Sequence, residues 1–265
     1  SINNIKCNMN FRLLQTGRLP ARENMAIDEA VLNNIADGKS PPTIRFYGWQ
    51  PSAISIGYFQ CMEEEVDLSA CAKLGVDYVR RVTGGGAVFH QEELTYSVHI
   101  PESANFAPNG ILESYKFICD GIINGLKNFG IIAQFVPLND IIVHINNMPK
   151  KISGNAQTRK RGIILQHGTI LLKVDVDKMF SMLKVPSEKL KGKLIEDVKQ
   201  RVTGLSDALN REVTFEEAEQ VFIKGFLEAF TGAQFSKGVL TQDEKSQAEK
   251  LAAEKYGTDE WNKKR

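Results

Sequence analysis

The sequence predicts an α+β fold, a mixed or antiparallel sheet core flanked by helices, and three observations predict it. Strand-like alternation dominates residues 11–175, helical spacing and helix-start signals dominate 176–265, and no repeat, low-complexity linker or composition shift divides the two parts. A chain of 265 residues suffices for one large domain or two modest ones. The unbroken composition favours one domain over 1–265, with a sheet-rich core at about 11–175 and a helical part at about 176–265.

Each element has its own signal. Over 21–37, apolar side chains at 25, 27, 31, 32 and 35 form a helical stripe that Gly38 closes. The β-rich runs 43–49 and 53–58 flank Gln50-Pro51-Ser52, a turn signal that predicts neighbouring antiparallel strands. A short helix is expected over 66–74. Residues 77–100 alternate β-branched, aromatic and polar side chains around Gly84-Gly85-Gly86, which predicts two strands meeting at a glycine loop. Ile111, Tyr115, Ile118, Ile122, Leu126 and Phe129 recur three or four apart and predict a helix over 111–129 with an apolar core face. Residues 131–145 and 152–174 read as further strands around Pro149-Lys150-Lys151. Beyond Asp175 the chain reads as mostly helical, with capping boxes at Thr214-x-x-Glu217 and Thr241-x-x-Glu244 and a charged surface helix or tail at 255–265.

Composition excludes several function classes. With 33 Lys and Arg against 32 Asp and Glu, a net of +1, the chain lacks the basic excess of a nucleic-acid binder. Any anion site must therefore be local. Cysteines at 7, 61, 71 and 119 form no CxxC pair and have no histidine at zinc-ligand spacing, which argues against structural zinc or a disulfide framework. No apolar run approaches the ~18 residues of a membrane helix, and the first ten residues lack a signal-peptide core. The expectation is a soluble, cytoplasmic protein with neither nucleic-acid nor membrane partner.

The densest chemical signal is Arg80-Arg81-Val82-Thr83-Gly84-Gly85-Gly86-Ala87-Val88-Phe89-His90. Successive glycines serve where φ is positive or where a ligand approaches the main chain, and the two arginines add forked donors for phosphate or carboxylate. The run is neither a P-loop nor a Rossmann fingerprint, because no Lys-Ser/Thr and no helix follow the glycines. An anion site and a tight hairpin with two surface arginines both stay open. Pro149 to Gln157 brings Lys150-Lys151 into a small-residue run, where a lysine could follow an oxyanion or where a solvated turn could sit. Asn139-Asp140 lies between apolar runs, as a cation-serving carboxylate or as a β-turn. His90 and His167 are either pocket residues or satisfied structural donors; His99 and His144 receive no role.

Taken together, the run 80–90, Asn139-Asp140, Lys151-Ile152-Ser153-Gly154-Asn155-Ala156 and His167-Gly168-Thr169-x-Leu171-Leu172 resemble the lipoate-protein ligase A family in order and spacing. Asn24-Met25-Ala26-x-Asp28-Glu29-Ala30, Arg45-Phe46-Tyr47 and Gly57-Tyr58-Phe59-Gln60 extend the resemblance over about 11–262. It implies the α+β catalytic-domain fold shared with biotin ligases and octanoyltransferases. It also implies ATP-dependent activation of lipoate to lipoyl-AMP, then transfer to a lysine of an acceptor lipoyl domain, of a 2-oxoacid dehydrogenase E2 or a glycine-cleavage H-type protein. On this reading Lys151 is catalytic, and Arg81, Gly86, Ala87, Val88, Phe89, Asn139 and Lys151 hold ATP and the adenylate. Arg80, Thr83, Gly84, Gly85, His90, Gly154 and His167 hold the lipoyl group, and Asp140 serves Mg²⁺ carried by the nucleotide.

Two departures qualify the resemblance. After His90 the chain runs Gln91-Glu92-Glu93-Leu94-Thr95-Tyr96-Ser97, and with Gln157-Thr158-Arg159 and Leu165-Gln166-His167-Gly168 it looks more like Gram-positive octanoyltransferases, which work through a cysteine thioester. Here the loop ahead of Lys151 carries no cysteine, and only Cys61 or Cys119 could substitute. The ligase is the expected activity. An octanoyltransferase or lipoyl amidotransferase is the alternative, and a non-catalytic lipoyl-carrier binding protein a third reading. The ligases often carry a C-terminal accessory domain, so a separate accessory polypeptide is expected as a partner.

Overall fold

The computed structural model describes residues 8–265; Cys7 and the readings made on the first seven residues lie outside the described residues. In chain order the elements are β1 (Met9–Leu19), α1 (Ala21–Ala36), β2 (Thr43–Trp49), β3 (Ala53–Ile56), α2 (Met62–Glu65), α3 (Leu68–Leu74), β4 (Asp77–Arg80), β5 (Val88–His90) and β6 (Glu93–Pro101). There follow α4 (Ile111–Asn128), β7 (Ala133–Val136), β8 (Asp140–Ile145), β9 (Met148–Lys160), β10 (Ile163–Leu171), α5 (Val176–Met182) and α6 (Glu188–Arg201). The chain ends with α7 (Leu205–Leu209), α8 (Phe215–Ala229), β11 (Ala233–Lys237), α9 (Gln242–Leu251), a π-helical turn (Ala252–Tyr256) and α10 (Asp259–Asn262).

The large sheet has eight strands in the order β11-β1-β2-β6-β10-β9-β8-β7. Its β11–β1 and β1–β2 pairings are parallel and the rest are antiparallel. Period-2 alternation divides its side chains between two covers. On one face Ile44, Phe46, Val98, Ile122, Leu126 and Phe226 belong to the core beneath α4 and α8. On the other, Leu14, Tyr47 and Leu165 meet Met25, Val31 and Leu32 of α1. A small sheet, ordered β4-β3-β5, packs Ile54 and Ile56 against Met62, Val66, Cys71 and Met182.

The predicted α+β class holds, but three local expectations are corrected. Runs 43–49 and 53–58 do not pair, because Gln50-Pro51-Ser52 carries the chain from the large sheet to the small one. The glycine loop does not join a hairpin: β4 and β5 flank β3, which is parallel to β4 and antiparallel to β5. Thr214 caps α8 by accepting from the Glu217 amide, yet the Glu217 carboxylate turns to Arg211, so of the two predicted capping boxes the one at Thr241 is complete. The strand β11 had no clear alternation of its own and gains its place by parallel pairing with β1. Among the described residues no helix is long and apolar enough to cross a membrane.

Candidate active site

A cavity of about 290 Å³ opens on the face of the large sheet that α1 covers. The glycine loop and Ala87 to Phe89 form one wall; Trp49, His90 and Thr95 form the floor; Asn139, Lys151, Gly154 and Asn155 form a polar edge; Met179, Val198 and Val202 of the α5–α6 region form the remaining wall. A concave, mostly apolar site with a few convergent polar groups suits a small ligand with one reactive end.

The glycine loop is held from beneath. Gly85 has φ +101°, a value that excludes most side chains, and a Cβ on Gly57 would lie 2.0 Å from the Gly85 carbonyl oxygen. Arg81 is buried, and its guanidinium donates to Ser55 Oγ (2.7 Å), Thr83 Oγ1 (3.3 Å), Gly84 O (2.9 Å) and Gly86 O (3.1 Å). Burial lowers its pKa to about 10, so it remains a cation at neutral pH. Arg81 lines the cavity as expected, but its donors are engaged with the loop. Arg80 and Thr83 are not at the cavity. Arg80 is fully buried and donates to the carbonyls of Tyr58 (2.8 Å), Trp261 (3.1 Å) and Asn262 (3.1 Å), which fastens the C-terminal segment to the small sheet. Thr83 sits under the loop with its hydroxyl 2.5 Å from His167 Nε2.

The floor is a saturated chain of hydrogen bonds. Trp49 Nε1 donates to Thr95 Oγ1 (2.8 Å), and the Thr95 hydroxyl donates to Glu93 (2.5 Å). Glu93 also lies 3.0 Å from His90 Nδ1, and His90 Nε2 lies 2.7 Å from Ser55 Oγ. The carboxylate can only accept, which assigns the proton to Nδ1; in the neutral ring Ser55 then donates to Nε2. The His90 ring stacks on Trp49 with centroids 4.0 Å apart, so both of its edges and one face are committed to position.

His167 belongs to a second buried hub that the residue reading left unassigned. Asp28 accepts from Arg45 (2.9 Å), Tyr47 (2.9 Å) and Ser97 (2.8 Å), and its Oδ2 lies 3.4 Å from His167 Nδ1. Burial works to raise this carboxyl, but Arg45, His167 and His99 outweigh it and hold Asp28 well below the usual carboxylate range. Burial lowers His167. The signal for Asp28 was present in Asn24-Met25-Ala26-x-Asp28, without a partner to explain it.

Lys151 reaches the cavity because β9 is bulged. Asp140 pairs with Gly154 and Ile141 with Ser153, but Ile142 pairs with Lys151, leaving Ile152 as the extra residue. Ile152 and Ser153 are consecutively buried, so alternation slips by one and Lys151 joins Gly154 on the cavity side. A Cβ on Gly154 would stand 3.0 Å from Lys151 Cε, and Lys151 Nζ lies 3.0 Å from Asp140 Oδ1. The pair is 40% and 36% exposed, within reach of a ligand. Asn155 clamps the neighbouring turn: its amide donates to Asn139 O (3.0 Å), and Asn139 Nδ2 donates to Asn155 O (2.7 Å). Tyr96 donates to Asn155 Oδ1 from the core side (2.5 Å).

Gly84, Gly85, Gly86, Ala87, Val88, Phe89, His90, Asn139, Gly154 and His167 thus meet Arg81 and Lys151 around one cavity. Asp140 stands just outside it. Among the described residues no group of three or more His, Cys, Asp or Glu side chains could hold a metal by itself, and Asp140 is paired with Lys151. No cysteine among the described residues lines the cavity. Burial pushes the Cys119 thiol up to about 12 beneath Tyr96 and Gln166. Cys71 is buried behind the small sheet and pushed up to about 11, and Cys61 stands at the start of α2. The cavity wall from Met179, Val198 and Val202 had no sequence signal.

An apolar cavity edged by an ammonium group fits a ligand with an apolar body and one electron-rich polar end. The chain belongs to the lipoyl protein ligase A/B catalytic domain family, whose model matches residues 20–227. It is 41% identical to octanoyltransferase LipM of Geobacillus kaustophilus, over 96% of this chain and 98% of that one. It is 36% identical to octanoyltransferase LipM of Bacillus subtilis with the same coverage. Among solved structures it is similar to a bi-partite lipoate protein ligase of Thermoplasma acidophilum, with 33% identity, a TM-score of 0.85 and 96% of each chain covered. It is also similar to a lipoate-protein ligase A bound with ATP, with 32% identity and a TM-score of 0.79 over 96% of this chain and 98% of that one. The chain is therefore an acyl-transfer enzyme of this family. The expected ATP-dependent lipoate ligase activity is corrected: the near-full-length curated relatives are octanoyltransferases.

Proposed function

We propose that the protein transfers an octanoyl-type group from a carrier thioester directly to a lysine of an acceptor lipoyl domain, with no acyl-enzyme. The observation that carries this reading is a cavity with an ammonium group at its polar edge and no thiol among its lining residues. Relatives named octanoyltransferase support the substrate class, and a solved neighbour described with its E2 lipoyl domain supports the acceptor class. The acyl chain lies along the apolar walls with its carbonyl at Lys151. The uncharged ε-amine of the acceptor attacks that carbon, and Lys151 stabilises the tetrahedral oxyanion. The carbon–sulfur bond then breaks, the amide forms, and the proton lost by the amine ends on the departing thiol. The Asn139–Asn155 clamp and the bulge fix the edge where charge develops, while Arg81 holds the glycine wall.

Incubation with an octanoyl carrier thioester and a lipoyl domain, followed by intact-mass measurement, tests the proposal. The expected product is an acceptor heavier by one octanoyl group, with no hydroxylamine-labile adduct on the enzyme and undiminished turnover in Cys61→Ser and Cys119→Ser. Accumulation of an acyl-enzyme, or modification of the acceptor only from free acid with ATP, overturns it.

A further inference from the structure

We propose that the amino-terminal half of α6 is the docking surface for the acidic carrier that brings the acyl thioester; this rests on the transfer reading above. Residues 184–201 carry six lysines and arginines against three carboxylates, a local net of +3 in a chain whose total is +1. Lys189 and Lys193, one turn apart, share an exposed face of the first two turns, at the positive end of the helix dipole, where carboxylates are the stabilising choice, whereas Lys191 is half-buried on the opposite face with Leu194, Ile195 and Val198. Among the described residues neither exposed lysine has an ion-pair partner, whereas Lys151, Lys173 and Lys199 near the cavity are all paired. α6 buries none of its residues, so these lysines contribute nothing to a core. Unpaired cations placed against the dipole on an exposed helix complement a carboxylate-rich surface.

The same helix leads into the site. Its far end supplies Val198, and the residue after it, Val202, completes that cavity wall. From Lys191 to Val198 is about 10 Å at ~1.5 Å per residue. That distance suits a carrier whose acyl group travels on a long flexible arm laid against the α5–α6 wall. An acceptor lysine, with its shorter side chain, requires its domain at the polar edge beside Lys151 and Asn139.

The test compares wild-type protein with the double variant Lys189→Glu, Lys193→Glu. Reversal places carboxylates at the favourable end of the dipole and changes only exposed side chains, so the fold is kept; the corresponding double Gln variant controls for charge alone. Affinity for an octanoyl-loaded acidic acyl carrier protein is measured by fluorescence anisotropy from low to high salt. Transfer is measured in parallel with that carrier and with octanoyl-coenzyme A, a thioester without a protein surface. The expected result is at least a tenfold weaker carrier affinity with a flattened salt dependence, and kcat/KM for octanoyl-coenzyme A within twofold of wild type. Unchanged carrier affinity, equal loss with both donors, or loss of binding to the lipoyl domain or to anionic phospholipid vesicles instead overturns the docking site. Carrier binding through the lysines without any transfer leaves the docking site standing and overturns the transfer reading alone.

Discussion

On the transfer reading proposed above, Lys151 is the residue on which the chemistry converges, and its environment separates that role from any role in the fold. Its side chain is 40% exposed and among the described residues its only ion pair is with the comparably exposed Asp140, so removing it costs the fold little. Loss of an oxyanion donor commonly slows turnover by ~10²–10³. Lys151→Ala is accordingly expected to lower kcat by about that factor with an unchanged melting midpoint, measured by steady-state transfer and differential scanning calorimetry. Gly154→Ala is the subtler counterpart. The added methyl would stand 3.0 Å from Cε and 3.1 Å from Nζ, which are the mobile end of a flexible side chain. The ammonium group is displaced while the strand stays paired, so a kcat loss of about tenfold at nearly constant KM and stability is expected. A KM increase with kcat intact would mean that Gly154 makes room for the acyl chain instead.

At the scale of the element, β9 and β10 form a closely fitted pair whose glycines have fixed tasks. A Cβ at Gly168 would meet Asn155 Oδ1 at 2.0 Å and the Gly154 carbonyl oxygen at 2.9 Å. Neither can retreat, because Asn155 is held by Tyr96 and Asn139 and the carbonyl is main chain. Gly168→Ala is therefore expected to destabilise the protein by at least about 2 kcal/mol, read from urea unfolding, unlike the Gly154 substitution. Much of this element was legible beforehand: residues 152–174 read as strand, and the resemblance carried by the Lys151 to Ala156 and His167 to Leu172 runs pointed to one site, although Pro149 to Lys151 read as a break and instead lies inside β9. The bulge at Ile152 was not legible, since an apolar residue beside a serine gives no sign of which one breaks the alternation. Arg80 and Arg81 were equally opaque. They are adjacent arginines in one motif, and only the burial of both side chains shows that one fastens the C-terminal segment while the other holds the glycine loop. The α6 wall escaped because its valines reach the cavity through tertiary placement, with no motif attached.

At the scale of the whole molecule, the buried hub of Asp28 and His167 beside the cavity ties folding stability to pH. His167 is held neutral: burial lowers its pKa from the ordinary 6.5. As pH falls through about 6.5 the unfolded chain takes up this proton before the folded one, so folding stability is fully present above that pH and declines below it. Asp28, held well below its ordinary 3.8 by its partners despite burial, acts with the same sign in a lower window, contributing above about 3.8 and losing that contribution as it protonates in the folded state. Between pH 7.5 and 5 Asp28 is ionised in both states, which leaves His167 as the member of this pair that titrates. Replacement by Gln removes the titration while keeping an amide that can meet Thr83. The stability difference between wild type and His167→Gln, from urea unfolding at stepped pH, is therefore expected to narrow as pH falls across that range. Its slope has an upper bound of about 1.4 kcal/mol per pH unit. A difference that stays constant or widens would show that His167 binds its proton at least as well in the folded chain. In that case the Asp28 carboxylate outweighs burial, and the hub beside the cavity carries an imidazolium.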